Sequence, residues 1–241
     1  MRLAPSLHRI GSDYVNCYLV DTPDGLTLID AGIPGHWDGL LAELRALGRP
    51  VEDIRGVVLT HGDTDHLGIA ERLRRDHGVP VHVHELDAAR ARREPKQPNG
   101  KAGKVGVGAT AKFLWHGMRN GAFRVPGVQE VTTFTGDDTT LDLPGAPRIV
   151  RVPGHTPGSV VVHVPGVDAV FVGDTMTTRN VLTGVTGPAP APFTLHPGEA
   201  LASLDRLDGI EATWVLPGHG APWDRGLPEA LDRVRAAAKQ A

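Results

Sequence analysis

The sequence predicts an α/β protein in which two mixed β-sheets pack face to face and helices cover their outer surfaces, an αββα sandwich. Three observations predict this arrangement. Short apolar runs occur in both halves of the chain, amphipathic segments follow them, and glycine- or proline-rich turns separate the two kinds of segment. Strands that alternate with helices form layered structures, because each sheet must bury its apolar faces. With no linker or low-complexity tract, we expect residues 1–241 to form one domain.

The first half of the chain begins with a β-hairpin. Residues 14–21 and 26–32 are short apolar runs, and a Pro-Asp-Gly turn joins them. Residues 37–48 have leucines at helical spacing and end in glycine, which is typical of an amphipathic helix with a glycine stop. The elements that follow are a buried strand, a helix and a further strand, over residues 54–60, 67–78 and 79–85.

The second half repeats this alternation of strands and helices. Three strands rich in β-branched residues are predicted over residues 147–154, 158–166 and 168–174. They are followed by a helix, a strand and a closing helix, over residues 197–209, 212–218 and 227–240. Each half therefore supplies the strands of one sheet and the helices that cover it.

Composition indicates an ordinary globular protein of the cytoplasm. The formal net charge is -3, so neither nucleic acid nor an anionic membrane is indicated as a partner. Cys17 is the only cysteine, which excludes an intramolecular disulfide and suits a reducing compartment. The N-terminus lacks the apolar core of a signal peptide, and no run approaches the roughly 20 apolar residues of a membrane span.

One segment, residues 90–124, stands apart by its charge. It contains nine basic residues and one acid, Glu94, and includes the glycine-rich stretch NGKAGKVGVG. A solvated mobile loop is the simpler interpretation, with a short helix after it. The alternative is a lid or wall, at about residues 90–125, that draws anionic groups toward a site.

The stretch LTHGDTDHLG, residues 59–68, concentrates four groups that can bind a metal. It follows an apolar strand directly, so one tight loop presents the side chains from a rigid base. The side chains of His61, Asp63 and Asp65 can point the same way, with His66 beginning the next helix. Three further candidates each follow an apolar strand and sit in a turn rich in glycine or proline: His155, Asp174 and His219. Such a pattern is typical of a site assembled at a sheet edge.

In this order the motifs THGDTDHLG, GHTPGS, GDT and PGHG resemble the metallo-β-lactamase superfamily over essentially the whole chain. The opening strands, NCYLV and LTLIDAG, are similar too. The resemblance implies an αββα sandwich with a metal centre, usually dinuclear, at one edge of the sheets. By motif it assigns His61, Asp63 and His155 to the first metal and Asp65, His66 and His219 to the second. Asp174 would bridge the two ions.

The chain departs from the family pattern at position 63, where HxHxDH becomes HxDxDH. Imidazole suits zinc, whereas an added carboxylate shifts preference toward harder cations. We therefore expect two divalent metal ions, with zinc foremost and iron or manganese as alternatives. Three ionised carboxylates would leave two divalent ions and their ligands at +1, instead of +2 with histidine at 63. The flavodiiron branch carries a glutamate there, but this chain has no room for its flavin domain.

These features together predict a metallo-hydrolase. A metal-bound hydroxide would attack an ester, thioester, lactone or phosphoester of a small substrate, and the basic segment favours an anionic one. Asp65 would orient the nucleophile and carry its proton. The alternatives are an iron oxidoreductase or oxygenase on the same fold and a non-catalytic metal-binding module. A β-lactamase or nuclease role is disfavoured, and the sequence leaves the oligomeric state open.

Four further residues are assigned to the surroundings of the metals or to the substrate. Asp30 is expected to brace the ligand loops. His196, in a proline-rich loop, and Thr175 and Arg179, which follow Asp174, are candidates for substrate contact. The simpler interpretation of His196 is an exposed residue near a helix start.

Overall fold

The computed structural model of the chain describes residues 1–240. Within them the α-helices are α1 (His36–Leu47), α2 (Ala70–His77), α3 (Ala88–Ala91), α4 (Val107–Arg119), α5 (Pro197–Ser203) and α6 (Leu227–Ala238). The first seven strands are β1 (Arg2–Ala4), β2 (Leu7–Gly11), β3 (Asn16–Thr22), β4 (Gly25–Ile29), β5 (Ile54–Val58), β6 (Val81–His84) and β7 (Thr132–Phe134). The others are β8 (Asp138–Thr140), β9 (Arg148–Arg151), β10 (Val160–Val164), β11 (Ala169–Gly173), β12 (Thr177–Arg179), β13 (Thr186–Ala189) and β14 (Trp214–Pro217).

The first sheet contains β1 to β7 in chain order. Strands β1 to β4 pair antiparallel, and β3 and β4 are the predicted hairpin, with Tyr18 opposite Ile29. From β4 to β7 the pairing is parallel. Parallel neighbours need a crossover connection, and α1 and α2 supply it between β4 and β5 and between β5 and β6.

The second sheet has the order β14-β11-β10-β9-β8. Its strands from β8 to β11 are antiparallel, and β14 returns parallel to β11 after α5. Strands β12 and β13 form a separate two-stranded ribbon.

The two sheets bury a common apolar layer between them. In β10, Val160 and Val162 face the first sheet, whereas Val161 faces the helices on the other side. The rings of Tyr18 and Phe171 meet edge to face across the interface, 5.6 Å apart, and the Tyr18 hydroxyl donates to the Pro217 carbonyl. This alternation explains why the strands of the second half read as continuous apolar runs.

Helices close the two outer faces. On the first sheet, α1 buries Trp37, Leu40 and Leu44. On the second sheet, α6 buries residues at the same helical spacing, among them Leu227 and Leu231. Each buried leucine contributes roughly 1.5–3 kcal/mol relative to an exposed one. The predicted sandwich of two mixed sheets between helices is confirmed.

The topology brings four strand ends to one edge of the molecule. Strands β4 and β5 run parallel and end together, as do β11 and β14 in the other sheet. At this edge the backbone N–H of Val160 donates to the Thr60 carbonyl over 2.9 Å, which joins the two sheets. Loops that leave these strands therefore converge on one place.

Some local predictions were wrong. His66 does not begin the next helix: it closes a 3₁₀ turn, Thr64–His66, and α2 starts at Ala70. The helix predicted over residues 197–209 is α5 followed by the 3₁₀ turn Leu204–Leu207. The short helix expected in the basic segment is present as α4, which has thirteen residues. Among residues 1–240, no helix is long and apolar enough to cross a membrane.

Candidate metal centre

The loop after β5 brings four candidate ligands together. His61 and His66 are buried, whereas Asp63 and Asp65 are partly exposed and line a cavity. The 3₁₀ turn folds His66 back beside His61, so that the centroids of the two rings are 4.1 Å apart. A compact turn at this point, rather than an α-helix, is what places both imidazoles on the same side.

Three other loops supply the remaining candidates. His155 follows β9, Asp174 follows β11 and His219 follows β14, and all three side chains are buried. Gly218 precedes His219 where no side chain fits, since a Cβ there would lie 2.5 Å from Cε1 of His66 and 2.8 Å from Oδ1 of Asp174. The glycine therefore lets the β14 loop approach the ligands closely.

The seven candidate ligands form one cluster. Three overlapping groups each have ligand atoms within 4.8 Å of one another: His61, Asp63 and His155; His61, His66 and Asp174; and Asp65, His66 and His219. The Asp174 carboxylate lies between the outer two groups. Its Oδ1 is 3.6 Å from Nε2 of His66, and its Oδ2 is 3.7 Å from Nε2 of His155 and 3.3 Å from Nε2 of His219.

Two histidines are oriented from behind by the Asp30 carboxylate. Nδ1 of His66 donates to Oδ2 of Asp30 over 2.9 Å. The Thr60 hydroxyl also donates to Asp30, so its oxygen accepts the Nδ1 proton of His61, 3.0 Å away. Both rings are thereby oriented with Nδ1 toward these acceptors and Nε2 toward the cluster.

The other two histidines are held in the same way. The Thr194 hydroxyl donates to the Ala191 carbonyl and therefore accepts from Nδ1 of His155, 3.2 Å away. Nδ1 of His219 donates to the carbonyl of Tyr14. All four imidazoles thus present Nε2 to the cluster, which is the arrangement of histidine ligands whose other nitrogen is hydrogen-bonded.

The donor set fits divalent metal ions. Within residues 1–240, Nε2 of His61, Nε2 of His66 and Oδ1 of Asp174 are buried and lack a hydrogen-bond partner. Buried polar atoms without partners are costly, unless a cation accepts their lone pairs. The imidazole nitrogens and carboxylate oxygens that converge here suit zinc, iron or manganese.

The electrostatics of the cluster also favour a bound cation. Burial lowers the pKa of His66, but the carboxylates of Asp30, Asp174 and Asp65 outweigh it and raise that pKa to about 9. Burial and the neighbouring His66 and His155 rings hold the pKa of His61 well below its usual range, so this imidazole is neutral. The carboxylates around His66 therefore create a negative potential that attracts cations.

Sequence comparison identifies the fold family. A sequence model of the metallo-beta-lactamase superfamily matches residues 10–219, which include all seven candidate ligands. The chain belongs to that superfamily.

Relatives within the superfamily cover most of the chain. The "Probable metallo-hydrolase YflN" of Bacillus subtilis is 27% identical over 91% of this chain and 85% of its own length. The metallo-beta-lactamase family protein TTHA1429 from Thermus thermophilus has the same fold, with a TM-score of 0.66, 24% identity, and coverage of 99% of this chain and 79% of its own. TTHA1623, whose crystal structure is described as a di-iron-bound form, is 26% identical with a TM-score of 0.61, covering 94% of this chain and 96% of its own.

The cluster opens into a cavity. The cavity has a volume of about 510 Å³, and its floor contains Asp63, Asp65 and Asp174. Its wall includes three cations of the basic segment, Arg90, Arg93 and Lys96, so this segment forms part of the site. Asn99 and Gly100 also line a second cavity of about 1040 Å³, which is mostly apolar and reaches Leu201 and Val234.

The structure places the three predicted substrate residues in different surroundings. Thr175 lines the apolar cavity, and its buried hydroxyl has no hydrogen-bond partner among residues 1–240. The guanidinium of Arg179 instead lies over the Tyr14 ring, 5.4 Å from its centroid, and Arg179 is not among the residues that line either cavity. His196 is exposed at the start of α5 and lines neither cavity. This position favours the simpler interpretation of His196, an exposed residue near a helix start.

Sequence reasoning missed the residues that hold the ligand loops. Asp87 accepts hydrogen bonds from the backbone N–H of Gly62, the Thr156 hydroxyl and the backbone N–H of Gly158. It ties the loop of His61 to the loop of His155. No local pattern marks Asp87, because its partners lie up to 71 residues away in the chain.

Proposed function

We propose that this chain is a metal-dependent hydrolase with a dinuclear centre that cleaves an ester, thioester, lactone or phosphoester. The observation that carries the proposal is the convergence of four Nε2 atoms, each with its Nδ1 hydrogen-bonded, on three carboxylates that line a cavity. A degenerate, non-catalytic module would have no need of so complete a set.

The residues divide into two ligand sets. His61, Asp63 and His155 would hold one ion, Asp65, His66 and His219 the other, with Asp174 shared between them. Bound there, two divalent cations supply Lewis acidity: they acidify water and polarise the oxygen of the scissile group.

Asp65 is our candidate for the catalytic base. One carboxylate oxygen, Oδ2, lies 3.3 Å from Nε2 of His219, and the side chain is partly exposed to the cavity. With the carboxylate oxygen that faces the substrate, Asp65 can therefore hold a water molecule. It can accept a proton from that water as the water attacks, and then donate this proton to the leaving group. Asp30 acts behind the site, by orienting His66 and, through Thr60, His61.

The cavities favour a substrate with an anionic group and an apolar part. Arg93 and Lys96 line the cavity over the cluster and can attract a carboxylate or phosphate. The apolar cavity shares Asn99, Gly100 and Pro192 with it, so an apolar chain attached to the reacting carbonyl could extend there. We therefore place carboxylic esters, thioesters and lactones ahead of phosphoesters.

An iron-dependent oxidoreductase is the second candidate. It is favoured by Asp63, which adds a hard ligand, and by the relative TTHA1623, whose crystal structure is of a di-iron-bound form. Chemistry of that kind needs an external electron donor.

A substrate screen separates these candidates. Protein stripped with a chelator and then reloaded with zinc or with iron is assayed on an ester, a thioester, a lactone and a phosphodiester. We expect zinc-dependent hydrolysis of at least one class, absent from the stripped protein and reduced about 100-fold or more in Asp65→Asn. Zinc content is measured on the same samples, and full zinc occupancy with no hydrolysis of any class would contradict the proposal.

A further inference from the structure

The two oxygens of Asp63 face opposite ways. Oδ2 points into the cluster, 3.2 Å from Nε2 of His155 and 3.6 Å from Nε2 of His61. Oδ1 points outward and accepts from Nη1 of Arg90, 2.5 Å away. Because Arg90 occupies Oδ1, the carboxylate offers one oxygen, and not two, to a cation.

Arg90 is itself fixed in place. Its side chain is only 7% exposed, Nη1 donates to Oδ1 of Asn99 over 3.1 Å, and Nη2 donates to the carbonyl of Pro98. A buried arginine requires an anionic partner, because its guanidinium stays protonated. Among the described residues, Asp63 is the acid that contacts it.

The ligand loop leaves room for Arg90. A Cβ at Gly62 would lie 2.8 Å from the Cβ of Arg90 and 2.8 Å from the backbone nitrogen of Ala91. Only glycine lets the loop pass this close to α3. Gly62 is therefore separate evidence that the ligand loop packs directly against Arg90.

The charge of Arg90 matches the charge that Asp63 adds. With aspartate at 63, three carboxylates and two divalent ions sum to +1. A histidine there would give +2, and the guanidinium restores that value when it is counted with the cluster. An additional anion among the ligands would otherwise weaken the Lewis acidity of the ions and raise the pKa of their water.

We propose that Arg90 is a positioning residue for the metal centre: it offsets the negative charge of Asp63 and holds this carboxylate with a single oxygen toward the cations. This inference rests on the dinuclear site of the proposed function. It explains how the loop accommodates aspartate at position 63 without a change in the net charge of the centre.

The test is a double-mutant cycle read by zinc affinity. Arg90→Met keeps an unbranched apolar stem and removes the charged guanidinium, and Asp63→His removes the need for that charge. Zinc binding to the stripped proteins is measured by competition with a chromophoric chelator. In the background that retains Asp63, we expect Arg90→Met to weaken zinc binding about 10- to 100-fold. In the Asp63→His background, we expect it to weaken zinc binding less than about twofold.

Matched variants separate charge from packing. Arg90→Lys keeps the positive charge but loses the planar guanidinium with its several donors. The zinc affinity of this variant should therefore lie between those of wild type and Arg90→Met. Arg92 is an exposed neighbour that pairs with Glu94, so Arg92→Met should bind zinc as wild type does. Thermal unfolding of each stripped variant reports on folding. The Arg90→Met/Asp63→His protein, which no longer carries an unpaired carboxylate at position 63, should fold even where Arg90→Met does not.

Three results would overturn the inference in distinguishable ways. An equal loss of affinity in both backgrounds would show that Arg90 acts by packing alone, and no loss in the presence of Asp63 would show that Arg90 has no effect on zinc binding. Either result leaves the metal centre standing. Failure of the wild-type chain to bind zinc at all would overturn the metal centre and the role of Arg90 together.

Discussion

Oδ2 of Asp30 lies 2.9 Å from Nδ1 of His66, and the same carboxylate accepts from the backbone N–H and the hydroxyl of Thr60. Asp30 directly follows β4 and has a left-handed backbone, with φ of 57°. Aspartate and asparagine tolerate this conformation better than other residues with a side chain. One buried carboxylate therefore orients two histidines, His66 directly and His61 through Thr60.

Removal of Asp30 should weaken metal binding without removing a ligand. We expect Asp30→Ala to lower zinc affinity about 10- to 100-fold, because His66 loses the acceptor that fixes its Nδ1 proton. Asp30→Asn keeps one acceptor oxygen and tolerates the left-handed backbone, so its loss should be smaller. Chelator competition measures both. The control is Asp24→Ala, at the exposed hairpin turn; wild-type affinity in both Asp30 variants would contradict the orienting role.

Asp87 should contribute to stability in the absence of metal. Asp87→Ala leaves three buried donors without an acceptor, those of Gly62, Thr156 and Gly158. We expect the free energy of unfolding of the stripped protein to fall by about 3 kcal/mol, measured by urea denaturation. The exposed Asp142→Ala should change it by less than about 0.5 kcal/mol. A loss for Asp87→Ala as small as that control would exclude a stabilising role.

His36 should make the fold sensitive to acid. Burial, helped by His116 and Arg9, lowers the pKa of His36 to about 4 from an ordinary value of 6.5. Between these values the unfolded chain binds a proton that the folded chain does not, so stability falls as pH drops through this window. The shift is equivalent to about 3 kcal/mol.

The pH prediction is tested against a variant without this titration. The free energy of unfolding of wild type relative to His36→Gln should decrease by about 3 kcal/mol from pH about 7 to pH about 4. Comparison with a variant cancels the titration of the other histidines. The exposed His196→Gln should run parallel to wild type, and parallel curves for His36→Gln as well would contradict the prediction.

The cations that line the cavity should strengthen the binding of anionic substrates. We expect Lys96→Gln to raise KM about three- to fivefold for an ester that carries a carboxylate, such as mono-para-nitrophenyl succinate, with kcat unchanged. The neutral para-nitrophenyl butyrate should be unaffected. Lys112→Gln, an exposed lysine of the same segment outside the cavity, is the control. An equal change in KM for both esters would argue against charge recognition by Lys96.

The site residues that closely follow an apolar strand in the chain could be predicted from the sequence. His155, Asp174 and His219 each follow an apolar strand, and strand ends that share an edge bring such residues together. Asp30 could be singled out for the same reason.

The parts that sequence reasoning missed depend on tertiary packing. Arg90 appears in the sequence as one of nine cations in a segment taken most simply as a mobile loop, and only the fold shows it buried against Asp63. The fold also divides the apolar residues of α4. Phe113 lines the cavity, whereas Trp115 and Met118 are more than half exposed.

The central claim is that two metal ions lie on either side of Asp174. The most direct measurement is anomalous diffraction from crystals of the zinc-loaded protein, with data collected above and below the zinc absorption edge. We predict two anomalous peaks, one among His61, Asp63 and His155 and one among Asp65, His66 and His219, both in contact with Asp174. A single peak, or none, in crystals grown with excess zinc would contradict the dinuclear centre.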